Sequence, residues 1–198
     1  MGAYCPAPLF DEDLKQKVEN RIIIPTIKGM KKEGHPYRGF LYIGIMIVEG
    51  DPYVIEYNAR LGDPESQVLI PMLKDGLFPI IKSVLGKTVK DLKINKKEGY
   101  MVTVVLASKG YPEKYKKNML ITGLDESFLT FHSGTNLIDN KIYAIGGRVL
   151  NVIGYDLSLE GAISNAYENV KKINFENMYY RTDIGKKGLT YLKGVSDE

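Results

Sequence analysis

One cysteine, no tryptophan, two histidines and five arginines in 198 residues leave little of the chemistry on which many sites are built. Cys5 alone can form neither an internal disulfide nor a paired-cysteine metal knuckle, which removes the disulfide-stapled secreted class and most structural zinc folds. The cytoplasm is therefore the expected compartment. No apolar run nears the roughly 20 residues that a membrane span requires. The best candidate, Phe40 to Val48, is interrupted by Tyr42 and Gly44 and has the length of a strand. The first residues lack a basic region followed by an apolar core, so no secretory signal is expected. Charge of one sign is lacking too: 27 basic against 24 acidic residues give a net +3, too balanced to imply a nucleic-acid or membrane partner. Because most basic residues are lysine, each of Arg21, Arg38, Arg60, Arg148 and Arg181 is a scarce planar, bidentate donor.

What is present is an ordinary globular composition, 44% hydrophobic and 26% charged with 20 Gly and 9 Pro, long enough for one large domain or two small ones. Asp11 to Lys32 reads as a helix capped by Asp11, with Leu14, Val18 and Ile22 on one face and a break or kink near Ile24 imposed by Pro25. Two apolar runs, Phe40 to Val48 and Pro52 to Asn58, flank Glu49-Gly50-Asp51 and predict a hairpin whose first strand is buried on both faces. Asp63-Pro64 opens a helix from about Glu65 to Leu73, and another runs from Gly76 to Leu85 until Gly86 stops it. The lysine-rich stretch Lys87 to Gly99 is connective and carries the expected boundary between a domain of residues 1–93 and one of residues 94–198. Beyond it, short strands are predicted at Tyr100 to Ala107, Met119 to Gly123, Phe128 to His132, Ile142 to Ala144 and Arg148 to Ile153. An amphipathic helix, Ser158 to Ile173, closes the pattern, weakened at Gly161 by about 1 kcal/mol relative to Ala. The class is α+β.

Val54-Ile55-Glu56-Tyr57-Asn58-Ala59-Arg60-Leu61-Gly62-Asp63-Pro64-Glu65 is the most informative stretch. Glu56 and Asn58 are two apart on a strand, so their side chains leave one face and their oxygens can converge. A carboxylate beside an amide oxygen suits a hard cation such as Mg2+ or Mn2+, with water and phosphate oxygens completing the shell. Arg60 continues the alternation and can grip a phosphate or carboxylate with two hydrogen bonds. The same three residues would serve equally as the polar face of an ordinary edge strand.

The context of these residues resembles one family. Tyr-Val-Ile-Glu-Tyr-Asn-Ala-Arg-Leu-Gly-Asp-Pro-Glu-Ser-Gln is similar to the metal-binding strand of ATP-grasp ligases in the form found in the phosphoribosylamine–glycine ligases, or glycinamide ribonucleotide synthetases. His-Pro-Tyr-Arg-Gly-Phe-Leu-Tyr-Ile-Gly-Ile-Met from His35 resembles the preceding strand, and Met-Gly-Ala-Tyr-Cys-Pro-Ala-Pro from Met1 the end of a loop in that family. Ala-Ser-Lys-Gly-Tyr-Pro, Phe-His-Ser-Gly-Thr, Gly-Gly-Arg-Val-Leu and Tyr-Tyr-Arg-Thr-Asp-Ile-Gly, from Ala107, Phe131, Gly146 and Tyr179, resemble its small C-terminal domain in order and spacing.

The resemblance implies the later part of an ATP-grasp domain, an antiparallel sheet with helices, followed by a small β-rich domain with one helix. It implies a reaction in which ATP phosphorylates glycine and the amine of 5-phosphoribosylamine attacks the glycyl phosphate, a step of purine synthesis. Glu56 and Asn58 would be the ligands of Mg2+ or Mn2+, and Arg60 would contact phosphate or the substrate carboxylate. Gly62, Asp63 and Glu65 would line the substrate. No carboxylate lies within Phe40 to Val48, so the ion would rest on two protein ligands. The match begins about halfway along a family member, so the chain is expected to be an incomplete catalyst whose missing N-terminal half is a possible partner. A non-catalytic binding or assembly module that kept this fold is the competing reading, and another ATP-grasp carboxylate ligase is a third. His132 and Cys5 lack catalytic neighbours in the sequence, and Arg148 and Arg181 suit surface or interdomain pairing as well as a site.

Overall fold

The computed structural model describes residues 1–194. The first elements in chain order are β1 (Gly2–Cys5), α1 (Glu12–Val18), α2 (Ile24–Lys32), β2 (Tyr42–Val48), β3 (Asp51–Asn58), α3 (Ser66–Leu69) and α4 (Phe78–Gly86). There follow β4 (Tyr100–Ser108), β5 (Met119–Leu120), β6 (Thr130–His132), β7 (Thr135–Ile138) and β8 (Lys141–Ala144). The last are β9 (Arg148–Asp156), α5 (Leu159–Lys172), β10 (Met178–Tyr179) and α6 (Lys186–Leu192). Contacts divide the chain into two compact units that interleave along the sequence. One joins Met1–Ala7, Pro64–Lys74 and everything described from Asn95 onward; the other joins Pro8–Asp63 and Asp75–Ile94.

The larger unit is built on an antiparallel sheet of order β1-β4-β9-β6, with β10 pairing β4 beyond the end of β1. β4 and β9 are its long central pair, and buried residues run along both faces. On one face Val102, Val104, Leu106, Leu150 and Val152 meet Leu159, Ala162, Ala166 and Val170 of α5 and Ile173 just after it, the apolar face expected from the sequence. That packing is close enough to need glycine at position 154: a Cβ there would lie 2.2 Å from the Ala162 carbonyl oxygen and 2.3 Å from the Ala166 nitrogen. The other face carries Met101 and Ile153 beneath Val68 and Met72, which places α3 on the sheet. A separate sheet, β5-β8-β7, turns at Asp139-Asn140, both with positive φ, a two-residue hairpin loop typical of such pairs. Past the end of β6, Asn165 and Asn169 on successive turns of α5 donate to the carbonyls of Tyr155 (2.9 Å) and Ile153 (3.1 Å). Two groups on an otherwise open strand edge are thereby satisfied.

The smaller unit holds the hairpin β2–β3, as predicted, with α1 packed on it. Lys17 Nζ donates to the Gly50 carbonyl, Arg21 reaches Asp51 at 2.8 Å, and Thr26 and Tyr57 share a hydroxyl–hydroxyl bond of 2.8 Å. The helix distortion expected near Ile24 is present, as a wide turn and not a break, and two other expectations are corrected here. Residues Glu19–Ile23 form one wide turn in which the Ile24 N–H reaches back to Glu19, and the displaced ladder absorbs the donor that proline lacks. β2 is not buried on both faces: Met46 and Val48 are exposed, and so are five successive residues of β3, Tyr53 to Tyr57, which leaves neither face of that strand fully covered. Finally, α4 runs through Gly86. The residue that takes the left-handed conformation is Lys87 (φ 60°), and the Thr88 N–H closes the end on the Ser83 carbonyl at 3.0 Å.

The helix expected from Glu65 to Leu73, which lies in the larger unit, is divided into α3 and a tight turn, Ile70–Met72, since Pro71 has no N–H for the carbonyl four residues back. Strands β1, β7 and β10 and helix α6 add to the elements read from the sequence.

Candidate functional site

The exposed end of β3 is shaped by an irregularity in its pairing with β2. Tyr42 faces Asn58, Ile43 faces Tyr57 and Gly44 faces Glu56, whereas Ile45 faces Val54, so Ile55 is an extra residue. Such a bulge bends the strand and re-aims the side chains next to it. Immediately after it, Asn58 Nδ2 donates to Glu56 Oε1 at 2.9 Å, so the two residues that share a face by spacing also touch. Both stand where solvent reaches them, Glu56 exposed and Asn58 half-buried. Across the ladder, an ideal Cβ on Gly44 would lie 3.0 Å from Glu56 Cγ.

The strand ends at Asn58, so Arg60 lies in the bend that follows and not on the continued strand face. It is exposed, and its Nη1 donates to the Leu61 carbonyl at 2.9 Å, one of the five N–H donors of a guanidinium. Gly62 is buried and Asp63 exposed at the end of the smaller unit's first segment. Glu65 belongs to the larger unit, half-buried at the N-cap position of α3.

A carboxylate and an amide oxygen on an accessible strand suit a hard cation, but the Asn58 atom that meets Glu56 is the nitrogen, so the amide would have to turn its Oδ1 toward Glu56 to share an ion. Among the described residues no group of three or more His, Cys, Asp and Glu side chains is placed to hold an ion. An ion on this pair would have two protein ligands and draw the rest from water or phosphate, as Mg2+ commonly does. The sequence made Glu56 and Asn58 conspicuous. It gave no weight to Gly44, whose signal is a glycine inside a strand of β-branched and aromatic residues.

The remaining singled-out residues have structural surroundings. His132 Nδ1 and Thr135 Oγ1 are 2.9 Å apart on the exposed link between β6 and β7. Burial pushes the Cys5 thiol pKa up, against a smaller opposing pull from Lys96. Arg181 forms a two-pronged pair with Asp183, Nε to Oδ1 at 2.8 Å, and this hydrogen bonding holds the Asp183 carboxyl below the usual range. Arg148 is half-buried at the start of β9. Asn151, almost fully buried on β9, gives its Nδ2 to Ser133 Oγ at 2.9 Å. No helix among the described residues is long and apolar enough to cross a membrane.

Comparison with known proteins matches both ends of this arrangement. A family model described as "Phosphoribosylglycinamide synthetase, ATP-grasp (A) domain" matches residues 1–66, and one described as "Phosphoribosylglycinamide synthetase, C domain" matches residues 101–187. A phosphoribosylamine–glycine ligase of Chlorobaculum tepidum is 44% identical over 195 residues, covering 96% of this chain and 46% of the relative. The trifunctional purine biosynthetic protein adenosine-3 of Bos taurus is 43% identical over 98% of this chain, which corresponds to 20% of that protein. The crystal structure of phosphoribosylamine–glycine ligase from Thermotoga maritima superposes with a TM-score of 0.79 at 39% identity, over 92% of this chain and 46% of that one. The chain thus spans a little under half the length of the single-function relatives it matches.

Proposed function

The chain belongs to the phosphoribosylglycinamide synthetase family, and on that premise we propose that it supplies the metal strand and C-terminal domain of a phosphoribosylamine–glycine ligase. The proposed reaction is the ATP-dependent ligation of glycine to 5-phosphoribosylamine through a glycyl phosphate, in purine biosynthesis. Residues 1–93 would be the second half of the ATP-grasp domain and residues 94–198 the small C-terminal domain, a division supported by where the two family models fall. Acting alone the chain would be an incomplete catalyst, its partner an N-terminal ATP-grasp half.

The observation that carries this reading is the placement of the Glu56 and Asn58 side chains beside each other at the bulged end of β3. Those two side chains would hold Mg2+ or Mn2+, which when bound neutralises charge on the phosphoryl group in transfer. The guanidinium of Arg60, with four N–H donors beyond the one given to Leu61, would orient a phosphate or the glycine carboxylate. Gly62, Asp63 and Glu65 would stand on the substrate side, where a buried glycine lets the backbone approach a ligand closely. A non-catalytic module has no chemical use for Glu56, Asn58 and Arg60 together.

Steady-state kinetics test this in a ligase containing the sequence as its C-terminal half. Glu56→Gln keeps the shape and removes one charge, so turnover should fall on the order of 100-fold, about 3 kcal/mol, with Tm unchanged. Arg60→Lys should also fail, because a point charge cannot reproduce a bidentate fork. Wild-type turnover and Mg2+ dependence in Glu56→Gln would leave the non-catalytic module as the better reading.

A further inference from the structure

We propose that Gly44 is a positioning residue for the Glu56 carboxylate: by having no side chain, it gives Glu56 the room to turn toward Asn58. The inference rests on the reading of Glu56 and Asn58 as a cation-holding pair and adds a residue that determines it. Gly44 lies within β2 and directly faces Glu56. Residues directly opposite in an antiparallel pair project on the same side of the sheet. A Cβ at Gly44 would be 3.0 Å from Glu56 Cγ, tighter than ordinary contact, but 3.8 Å from the Glu56 backbone nitrogen and oxygen, which is ordinary contact. The added methyl would therefore collide with the side chain and spare the strand.

Gly44 stands beside the bulge at Ile55, a common place for glycine in a strand, and two further points bear on its role. Gly44 is not among the residues with positive φ, so its backbone does not call for one. Glycine inside a strand also weakens it, so ladder stability does not favour it. The Glu56 side chain is exposed and free to take another rotamer. The cheapest response to Ala at position 44 is then a rotation of Glu56 away from Asn58, with the hairpin intact. Strand stability and carboxylate placement make opposite demands on position 44.

The test uses this chain labelled with 15N and Mn2+ as the probe, because paramagnetic broadening localises even weak binding. In the wild type, substoichiometric Mn2+ should first broaden the Asn58 side-chain amide and the backbone amides of Glu56 and Gly44, and Glu56→Gln should abolish this. Gly44→Ala should shift the Asn58 side-chain amide and raise the Mn2+ needed for half-broadening by about tenfold, the usual scale for a residue that orients a metal ligand. Its Tm should match or exceed wild type, and the cross-strand nuclear Overhauser contacts of Tyr42 with Asn58 and Ile43 with Tyr57 should persist. If Gly44→Ala leaves the Asn58 amide and the Mn2+ response unchanged while Glu56→Gln abolishes the response, positioning by Gly44 is wrong and the cation pair stands. If Gly44→Ala loses the cross-strand contacts, the glycine supports strand pairing and the proposal is overturned. If Glu56→Gln responds to Mn2+ as the wild type does, or the wild type does not respond, the cation reading itself fails and takes this inference with it.

Discussion

Asp156, at the end of β9, shows how a few side chains fix where an element starts. Its carboxylate accepts hydrogen bonds from the Ser158 backbone N–H (2.8 Å) and hydroxyl (2.9 Å), and Ser158 Oγ in turn accepts the Gly161 N–H at 3.0 Å as the N-cap of α5. A Cβ at Gly161 would lie 2.5 Å from Asp156 Oδ1, so the residue that costs the helix intrinsic stability also makes room for the group that starts it. The bonds from Ser158 hold the Asp156 carboxyl below its ordinary range. A depressed carboxyl contributes stability that is present above its unfolded pKa and is lost only as pH falls through the folded value. Following the Asp156 carboxyl carbon by NMR should give a midpoint below the usual aspartate value of about 3.9, with the Ser158 amide shifting in parallel; a midpoint at or above that value would contradict the cap. At this same scale the candidate site was only half legible. Two-residue spacing on a strand announces Glu56 and Asn58, whereas the bulge at Ile55 depends on how β2 and β3 pair, which no local pattern encodes.

Elements with their own periodicity were readable, and those defined by a partner were not. Helix α5 shows its apolar stripe and its cap in the sequence, and the β2–β3 hairpin shows two apolar runs around a turn. Strands β1 and β10, of four and two residues, exist because β4 offers them an edge, and nothing in Gly-Ala-Tyr-Cys or Met-Tyr declares it. Glycines divide in the same way. Gly29 sits within α2 with nothing near its missing Cβ, while Gly154 faces the backbone of α5. Gly29→Ala should therefore stabilise the protein by up to about 1 kcal/mol. Gly154→Ala should cost about 3 kcal/mol, since backbone at 2.2 Å cannot move aside as a side chain can. Urea unfolding of both variants checks the pair, and equal effects would mean that α5 can shift on the sheet at little cost.

At the scale of the whole molecule, the order of the chain and the order of its contacts disagree. The larger unit draws on three separate segments, and its edge strand β1 is sealed to β4 from about a hundred positions away, Gly2 opposite Val104 and Cys5 opposite Met101. Joining segments so distant carries about 3 kcal/mol more loop-closure entropy than closing a four-residue turn, if the logarithmic law holds over that range. The β4–β9 pairing joins partners roughly half as far apart, which by the same law costs about 0.6 kcal/mol less, so the β4–β9–α5 layer can assemble first. β1 thus resembles a guest in a sheet already made, held by four pairings along one side of β4. A guest strand can be supplied from outside. A chain lacking residues 1–7 should show a lower Tm that recovers when a synthetic peptide of that sequence is added, saturably and not with a scrambled peptide, in the manner of a split reporter regaining its missing strand.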